Sequence, residues 1–267
     1  MVGGLSRTEA DHYHQQGYVV PTFRLSEPEV LQLRESVDRL ISENPDTRPE
    51  HLVNAHIAHP NAEGVKGAEA ILELAKHPGI LDQVQSVIGE DIILWGCQLF
   101  CKPASDGMEV PWHQDGQYWP IQPLATCTVW VAIDASVVEN GCLRVIPGSH
   151  RDAEVYGHHT DNRERLTLTQ AVDEQHLQQS APVDVVLQAG QMSLHDVYLI
   201  HGSNENKSAH RRAGIAIRYM PATSVFRRDL IAPSSDSGFK VDFSQRPLWL
   251  LRGSDQTGQN DFAVGHR

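Results

Sequence analysis

The sequence is short of cysteine, of basic residues and of long apolar runs, and each shortage excludes a class of protein. Its four cysteines are too few for a disulfide scaffold and form neither a Cys-x-x-Cys pair nor a zinc-finger spacing, which favours buried free thiols. No segment reaches the roughly 18 consecutive apolar residues of a membrane span, and the first residues lack the basic start and apolar run of a secretion signal. We therefore expect a cytoplasmic protein with no membrane segment.

Basic residues are outnumbered by acidic ones. The chain has 22 Lys and Arg against 34 Asp and Glu, which gives a formal net charge of −12 at pH 7. An acidic surface repels phosphate backbones and anionic lipids, so neither nucleic acid nor a membrane is an expected partner. We expect a small-molecule partner for a monomer or homodimer of ordinary globular composition. Histidine is abundant, with 15 copies, and this excess directs attention to metal binding.

Helix signals dominate residues 1–90. Ser26 and Glu29 form a capping box before apolar residues at helical spacing, and Pro78 suits a first helical turn. The helices are predicted at 8–17, with Thr8 as the cap and Gly17 as the end, at 26–42, at 65–75 and at 78–87. We expect these helices to support the rest of the chain rather than to carry chemistry.

Beyond residue 91 the apolar pattern changes to short strand-like runs separated by Gly, Pro, Asn and Asp. The predicted strands are 92–102, 126–133, 143–146, 183–187, 191–194 and 214–220, a succession that is typical of an antiparallel barrel or sandwich. We predict one mainly β domain with flanking α-helices over residues 1–267. Its barrel core spans 91–221 with a lid-like polar insertion at 151–182, and a tail at 222–267 packs on the barrel.

The motif Trp112-His113-Gln114-Asp115-Gly116 stands near the start of the barrel region. Side chains of an extended chain alternate between two faces, so His113 and Asp115 point the same way and Gln114 points away. A distant histidine, His201, follows a second strand-like segment. Two histidines and one carboxylate on a β scaffold form a facial triad with open coordination positions, the arrangement of non-haem Fe(II) sites that activate O₂.

A possible anchor for an anionic co-substrate follows His201. Arg212, eleven residues beyond His201, opens a strand-like segment, where a guanidinium can hold a carboxylate in bidentate fashion. The hydroxyl of Ser203 can add a hydrogen bond to the same group. Arg211 is the neighbour of Arg212, and strand alternation allows only one of the two to point inward, so a surface position is the alternative for each.

These segments resemble the phytanoyl-CoA dioxygenase family of Fe(II)- and 2-oxoglutarate-dependent oxygenases. The resemblance includes residues 16–20, the motif at 112–116, the stretch 140–150 and residues 201–212. It implies a double-stranded β-helix barrel of the jelly-roll, cupin-like kind. The resemblance also implies that iron binds to His113, Asp115 and His201, that Arg212 and Ser203 hold the distal carboxylate of 2-oxoglutarate, and that Gln98 and Trp130 face this co-substrate.

Asp115 distinguishes two reaction types within this resemblance. Related halogenating enzymes have a small apolar residue in its place, so the carboxylate implies hydroxylation or another O₂-driven oxidation rather than halogenation. The resemblance also implies release of succinate and CO₂ from 2-oxoglutarate. The first hypothesis is hydroxylation of an unactivated C–H of a small polar metabolite, such as an amino acid derivative, a compatible solute or an aminophosphonate. The alternative substrate is an acyl-CoA or a lipophilic natural product. The alternative of another class is a non-redox, metal-binding, cupin-like protein.

Six further residues are weaker candidates for contact with the substrate or for support of the metal ligands. His150 follows a turn signal, where structural support of the turn is the alternative. His195 precedes His201 on the same segment, and the role considered for it is a hydrogen bond to a metal ligand. Capping, packing or surface roles are the alternatives for the other four, which are Asn54, His56, Lys102 and Tyr118.

Overall fold

The N-terminal part of the chain is helical, as predicted. The computed structural model describes residues 3–58, 65–230 and 243–266. Its helices are α1 (Arg7–Gln16), α2 (Glu27–Ser42), α3 (Glu69–Ala75) and α4 (Pro78–Ile88). The capping box of Ser26 and Glu29 precedes α2, and the predictions for α2 and α4 are confirmed within one residue.

The start of α1 differs from the prediction. Ser6, not Thr8, is the cap, because its hydroxyl accepts a hydrogen bond from the Glu9 N–H while the Glu9 carboxylate accepts one from the Ser6 N–H. The predicted end is confirmed, since Gly17 stops the helix at φ 83°. Glycine adopts this left-handed conformation without the steric cost that a Cβ brings.

The start of α3 also differs from the prediction. The helix begins at Glu69, not at residue 65. The preceding backbone is bonded to a distant segment instead, because the N–H of Ala68 donates to the carbonyl of Ala55. A contact between positions so far apart in sequence cannot be read from local apolar spacing.

The described residues also form fifteen strands, of which the first two lie between helices. They are β1 (Tyr18–Val19), β2 (Leu52–Val53), β3 (Ile92–Lys102), β4 (Val110–His113), β5 (Ile121–Gln122), β6 (Cys127–Ala132), β7 (Leu143–Val145), β8 (His158–Thr160), β9 (Gln170–Val172), β10 (Val183–Val185), β11 (Met192–Asp196), β12 (His201–Ser203), β13 (Arg212–Pro221), β14 (Val225–Phe226) and β15 (Trp249–Arg252). The main sheet has the order β1-β11-β6-β13-β3-β15, with β2 also paired to β3, and the second sheet has the order β10-β7-β12-β4. Each of the six predicted strands is present.

The alternation of β13 shows how the layers are arranged. Ile215 and Ile217 belong to the large core between the main sheet and the helices. Ala216 belongs instead to a second core, which it shares with Trp130 of β6 and Val145 of the second sheet. One face of the main sheet therefore carries the helices and the other faces the second sheet, which is the predicted double-stranded β-helix.

The insertion at 151–182 and the tail at 222–267 each carry regular structure. Within the insertion β8 and β9 form an antiparallel hairpin that was not predicted. In the tail β15 extends the main sheet by pairing with β3, while residues 231–242 of that segment lie outside the described residues. Among the described helices none is long and apolar enough to cross a membrane.

Candidate active site

The triad predicted from the sequence comes together between the two sheets. His113 is the last residue of β4 and His201 the first of β12, and the two stand opposite each other in register. Asp115 begins a short 3-10 turn directly after β4. All three side chains are buried, and their ligand atoms lie within 4.8 Å of one another. This group could hold one metal ion.

Backbone carbonyls orient the two imidazoles. The Nδ1 atom of His113 lies 2.8 Å from the carbonyl of Pro111, and that of His201 lies 3.0 Å from the carbonyl of Leu199. A carbonyl only accepts hydrogen bonds, so Nδ1 carries the proton in each ring and Nε2 keeps a free lone pair. Both rings are therefore set in the tautomer that a metal ion requires.

Thr128 orients the carboxylate of Asp115. Its hydroxyl donates to Oδ2 of Asp115 at 3.2 Å. Burial raises the pKa of Asp115, but contacts with His113 and His195 and the nearby charges lower it well below its usual value. Burial also lowers the pKa of His201, together with the neighbouring imidazoles. An ionised carboxylate beside the neutral imidazole of His201 is a protonation state suited to metal binding.

Arg212 stands at the first position of β13, with its side chain 3% exposed. Its guanidinium carbon lies 5.1 Å from the Trp130 ring. The Nε atom has no hydrogen-bond partner within the described ranges, and burial lowers the pKa of Arg212 to about 10. Arg211 points outward and forms ion pairs with Asp134 and Asp38. Strand alternation thus selects Arg212 as the inward arginine.

Gly214 makes room for the ring beside Arg212. A Cβ at this position would lie only 2.0 Å from the Trp130 ring. The ring therefore lies directly across the backbone of β13, where only glycine permits it. Ser203, also buried, is at the end of β12. The structure thus places Arg212, Trp130 and Ser203 in the interior.

Lys102 lies beside this group and is not a surface residue. It is opposite Arg212 in the register of β3 and β13 and is 1% exposed. Its Nζ atom donates to the carbonyls of Ser203 and Asn204. Burial, reinforced by the charge of Arg212, lowers the pKa of Lys102 to about 6. The surface position considered for this lysine is wrong.

Two of the weaker candidates are close to the triad and one is not. The ring of His195 lies 4.6 Å from that of His201, and its Nε2 is 3.7 Å from Oδ2 of Asp115. The Tyr118 ring lies 6.3 Å from the His113 ring. His150 instead contacts α1, since its Nε2 is bonded to the carbonyl of His14. This position fits the alternative of structural support.

Asn54 and His56 are buried in the loop after β2. Asn54 adopts a left-handed backbone at φ 61°, a conformation that asparagine tolerates better than most residues. Ala55 fastens this loop to the main sheet, because its N–H donates to the carbonyl of Cys97. His56 packs against the Trp249 ring at 4.9 Å. Both residues therefore lie beside the main sheet.

Sequence reasoning missed Glu50 and Arg218. Glu50 is 1% exposed and forms an ion pair with Arg48. Arg218 is buried on the same face of β13 as Arg212, and its Nη2 donates to the amide oxygen of Gln98 at 3.1 Å. Strand alternation from Arg212 gives an inward position for Arg218, so this residue could have been found from the sequence.

A double-stranded β-helix that encloses a buried triad of two histidines and one carboxylate defines a class of enzyme. That class is the 2-oxoglutarate-dependent non-haem iron dioxygenases, which use Fe(II), 2-oxoglutarate and O₂. Within the class, the phytanoyl-CoA dioxygenase (PhyH) family model matches residues 13–214, and the chain belongs to that family. The resemblance stated from the sequence is confirmed.

The proteins similar to this chain are named for different activities. A probable phytanoyl-CoA dioxygenase of Caenorhabditis elegans is 27% identical over 236 residues, which are 80% of this chain and 75% of the relative. A probable alpha-ketoglutarate-dependent hypophosphite dioxygenase of Stutzerimonas stutzeri is 31% identical over 158 residues, 58% of this chain and 54% of the relative. Among solved structures, the non-heme monooxygenase ThoJ has a TM-score of 0.69 at 26% identity, and the match covers 94% of this chain and 85% of ThoJ.

Proposed function

We propose that this dioxygenase hydroxylates an unactivated C–H of a small polar metabolite, such as an amino acid derivative, a compatible solute or an aminophosphonate. In this proposal His113, Asp115 and His201 bind Fe(II). Arg212 and Ser203 bind the distal carboxylate of 2-oxoglutarate. One observation carries the proposal: a buried triad with free Nε2 atoms and a buried guanidinium with an unsatisfied Nε face the same interior.

The donor set of this interior fits both groups. Two imidazoles and one carboxylate leave adjacent positions of a six-coordinate metal open for a chelating co-substrate and for O₂. When bound, Fe(II) and 2-oxoglutarate supply the oxidising chemistry, with release of succinate and CO₂. Arg212 orients the co-substrate by a charge-assisted pair in a dry environment, and the Trp130 ring limits where its carbon chain can lie. Gln98 is proposed as a further wall of this site.

The role of the chain's other residues is to orient the reactants and to exclude water. We propose that the insertion at 151–182 covers the site as a lid. Two hydrogen bonds support this role: the Tyr118 hydroxyl donates to the carbonyl of Gln170 at 3.5 Å, and the N–H of Gln114 donates to Nε2 of His158 at 3.3 Å. Both partners belong to the insertion, so its hairpin is fastened beside the ligand His113.

Charge favours a small metabolite over an acyl-CoA. Binding of the CoA phosphates requires cations that are not neutralised by the protein. Two arginines of the insertion are already neutralised, because Arg163 pairs with Asp161 and Glu109, and Arg165 pairs with Asp106. The relative from Stutzerimonas stutzeri, named for hypophosphite, is a precedent in the family for a small polar substrate.

Spectroscopy of the purified chain tests the proposal. Anaerobic addition of Fe(II) and 2-oxoglutarate should produce a weak visible charge-transfer band, and admission of air should produce succinate. Asp115→Ala should lose both signals because a metal ligand is missing. Asp184→Ala is the matched control, since Asp184 pairs with Arg144 outside the site. A folded wild-type chain that shows neither band nor succinate would favour the non-redox metal-binding protein.

A further inference from the structure

A second buried guanidinium lies apart from Arg212 in the interior. Arg218 is six positions beyond Arg212 along β13 and is 9% exposed. In register it stands opposite Thr128 of β6 and Gly96 of β3. Thr128 is the residue whose hydroxyl donates to Asp115. Arg218 therefore lies beside Thr128, on the part of the main sheet that contacts the metal ligand Asp115.

Indole rings hold this guanidinium in place. Its central carbon lies 5.2 Å from the Trp119 ring and 5.8 Å from the Trp95 ring, and the two rings contact each other edge to face. The guanidinium of Arg246 also approaches Trp95, at 6.0 Å. A guanidinium stacked on indoles keeps its N–H edges for hydrogen bonding. The edges of Arg218 are thus pre-oriented for a planar or tetrahedral acceptor.

The protein does not neutralise the charge of Arg218. Over the ranges that the structure describes, Arg218 forms no ion pair, and its Nε atom is buried with no hydrogen-bond partner. Its Nη2 is bonded to a neutral acceptor, the amide oxygen of Gln98. Asp115 is the carboxylate that acts on it through space, and the metal also uses that carboxylate. A buried cation with an unsatisfied donor is unfavourable until an anion completes it.

We propose that Arg218 binds an oxyanion of the substrate. The substrate is then a small carboxylate, phosphonate or phosphinate, held by its anionic end so that the reacting bond faces the triad. This inference rests on the proposed function, because the anion belongs to the molecule that is oxidised. 2-Oxoglutarate is assigned to the other guanidinium, that of Arg212, which lies over Trp130.

Titration of the protein with simple anions tests this proposal. The chain is loaded anaerobically with Mn(II) and saturating 2-oxoglutarate, then titrated with methylphosphonate and with acetate in a calorimeter. We expect saturable binding of the anions and none of the neutral dimethyl methylphosphonate. Arg218→Met should weaken binding by at least about tenfold, the effect of losing a charge-assisted pair, and Arg218→Lys should weaken it less. Arg144→Met is the matched control, because Arg144 also lies over an indole, Trp112 at 5.3 Å, but pairs with Asp184.

Phosphorus relaxation in the same samples locates the anion. Mn(II) should broaden the ³¹P signal of methylphosphonate in the wild type and in Arg144→Met but much less in Arg218→Met. Equal broadening in all three would mean coordination to the metal alone and would overturn the proposal, as would the absence of saturable anion binding in the wild type. Weaker binding of 2-oxoglutarate in Arg218→Met, with anion binding unchanged, would assign Arg218 to the co-substrate and also overturn it.

A separate control distinguishes this inference from the proposed function. If Mn(II) and 2-oxoglutarate fail to bind, the proposed function fails, and the methylphosphonate titration is repeated with the metal-free chain. Arg218-dependent binding there would preserve an anion site, while its loss would remove both conclusions. Unfolding by heat adds a readout of folding: methylphosphonate should raise the midpoint of the wild type and leave that of Arg218→Met unchanged.

Discussion

Replacement of Gly214 by alanine should damage the co-substrate site while leaving the metal ligands in place. The added Cβ would lie 2.0 Å from one atom of the Trp130 ring and 2.4 Å from another, whereas ordinary contact begins at 3.4 Å. The overlap is therefore 1.4 Å, the difference between 3.4 Å and 2.0 Å. Neither the strand nor the ring can absorb this overlap locally, because Trp130 is 4% exposed between the two sheets.

The overlap should lower two measurable quantities, the stability of the fold and the affinity for 2-oxoglutarate. Overpacking of a core costs about 1–3 kcal/mol, which for a chain of this length lowers the unfolding midpoint by about 2–12 °C. The Trp130 ring must also leave its position 5.1 Å from the guanidinium carbon of Arg212. We expect the affinity for 2-oxoglutarate to fall by at least about tenfold, equivalent to about 1.4 kcal/mol, with metal affinity unchanged.

Thermal unfolding and titration of the charge-transfer band with 2-oxoglutarate measure the two effects. Gly214→Ala combined with Trp130→Phe is the informative control, since the smaller ring relieves the overlap and the two changes should be less than additive. Gly3→Ala is the neutral control, because its Cβ would meet no atom within 4 Å. Wild-type stability and wild-type affinity for 2-oxoglutarate in Gly214→Ala would refute the packing argument.

Three further changes test other parts of the structure. Thr128→Val should weaken metal binding by about 10–100-fold, because the hydroxyl that donates to Asp115 is lost; unchanged affinity in metal titration would contradict this role. Burial lowers the pKa of Lys102 from 10.5 to about 6, so between these pH values the unfolded chain binds one more proton than the folded chain. Wild-type stability therefore rises with pH in this range, by at most about 1.4 kcal/mol per pH unit. Lys102→Met should lack this pH dependence. Its free energy of unfolding, measured with denaturant, should therefore exceed that of the wild type by more at pH 7 than at pH 9. An equal difference at both pH values would count against the lowered pKa of Lys102. Ser6→Ala should cost about 1 kcal/mol through loss of the α1 cap, while Thr8→Ala should cost less in the same assay.

The parts of the fold that were predictable are those with local signals. β3 was predicted with the observed bounds because its 11 residues form a mostly apolar run, of which nine are buried. α2 was predictable from its cap and its apolar spacing. The hairpin of β8 and β9 was not, because each strand has only three residues, β8 is polar and mostly exposed, and the strands form by pairing with each other.

In the candidate site, too, the parts with local signals were predictable and the long-range contacts were not. His113 and Asp115 are two residues apart, so strand alternation alone places them together. The direction of Arg212 required knowledge of which face of β13 turns inward, and the burial of Arg212 and the ion pairs of Arg211 supply it. The surroundings of Arg218 depend on indoles from other segments of the chain. Spacing along one strand does not reveal such neighbours, and this is why its role was missed.

Gln114, the residue of the metal motif that points away from the ligands, has a consequence for how such enzymes diversify. Its side-chain amide donates to the carbonyls of Glu154 and Tyr198, and its oxygen accepts from the N–H of Tyr156. All three partners are main-chain atoms, which every amino acid provides. The side chains of the insertion can therefore change in evolution, or be exchanged in the laboratory for those of a relative, while the same clamp keeps the new segment beside an unaltered metal centre.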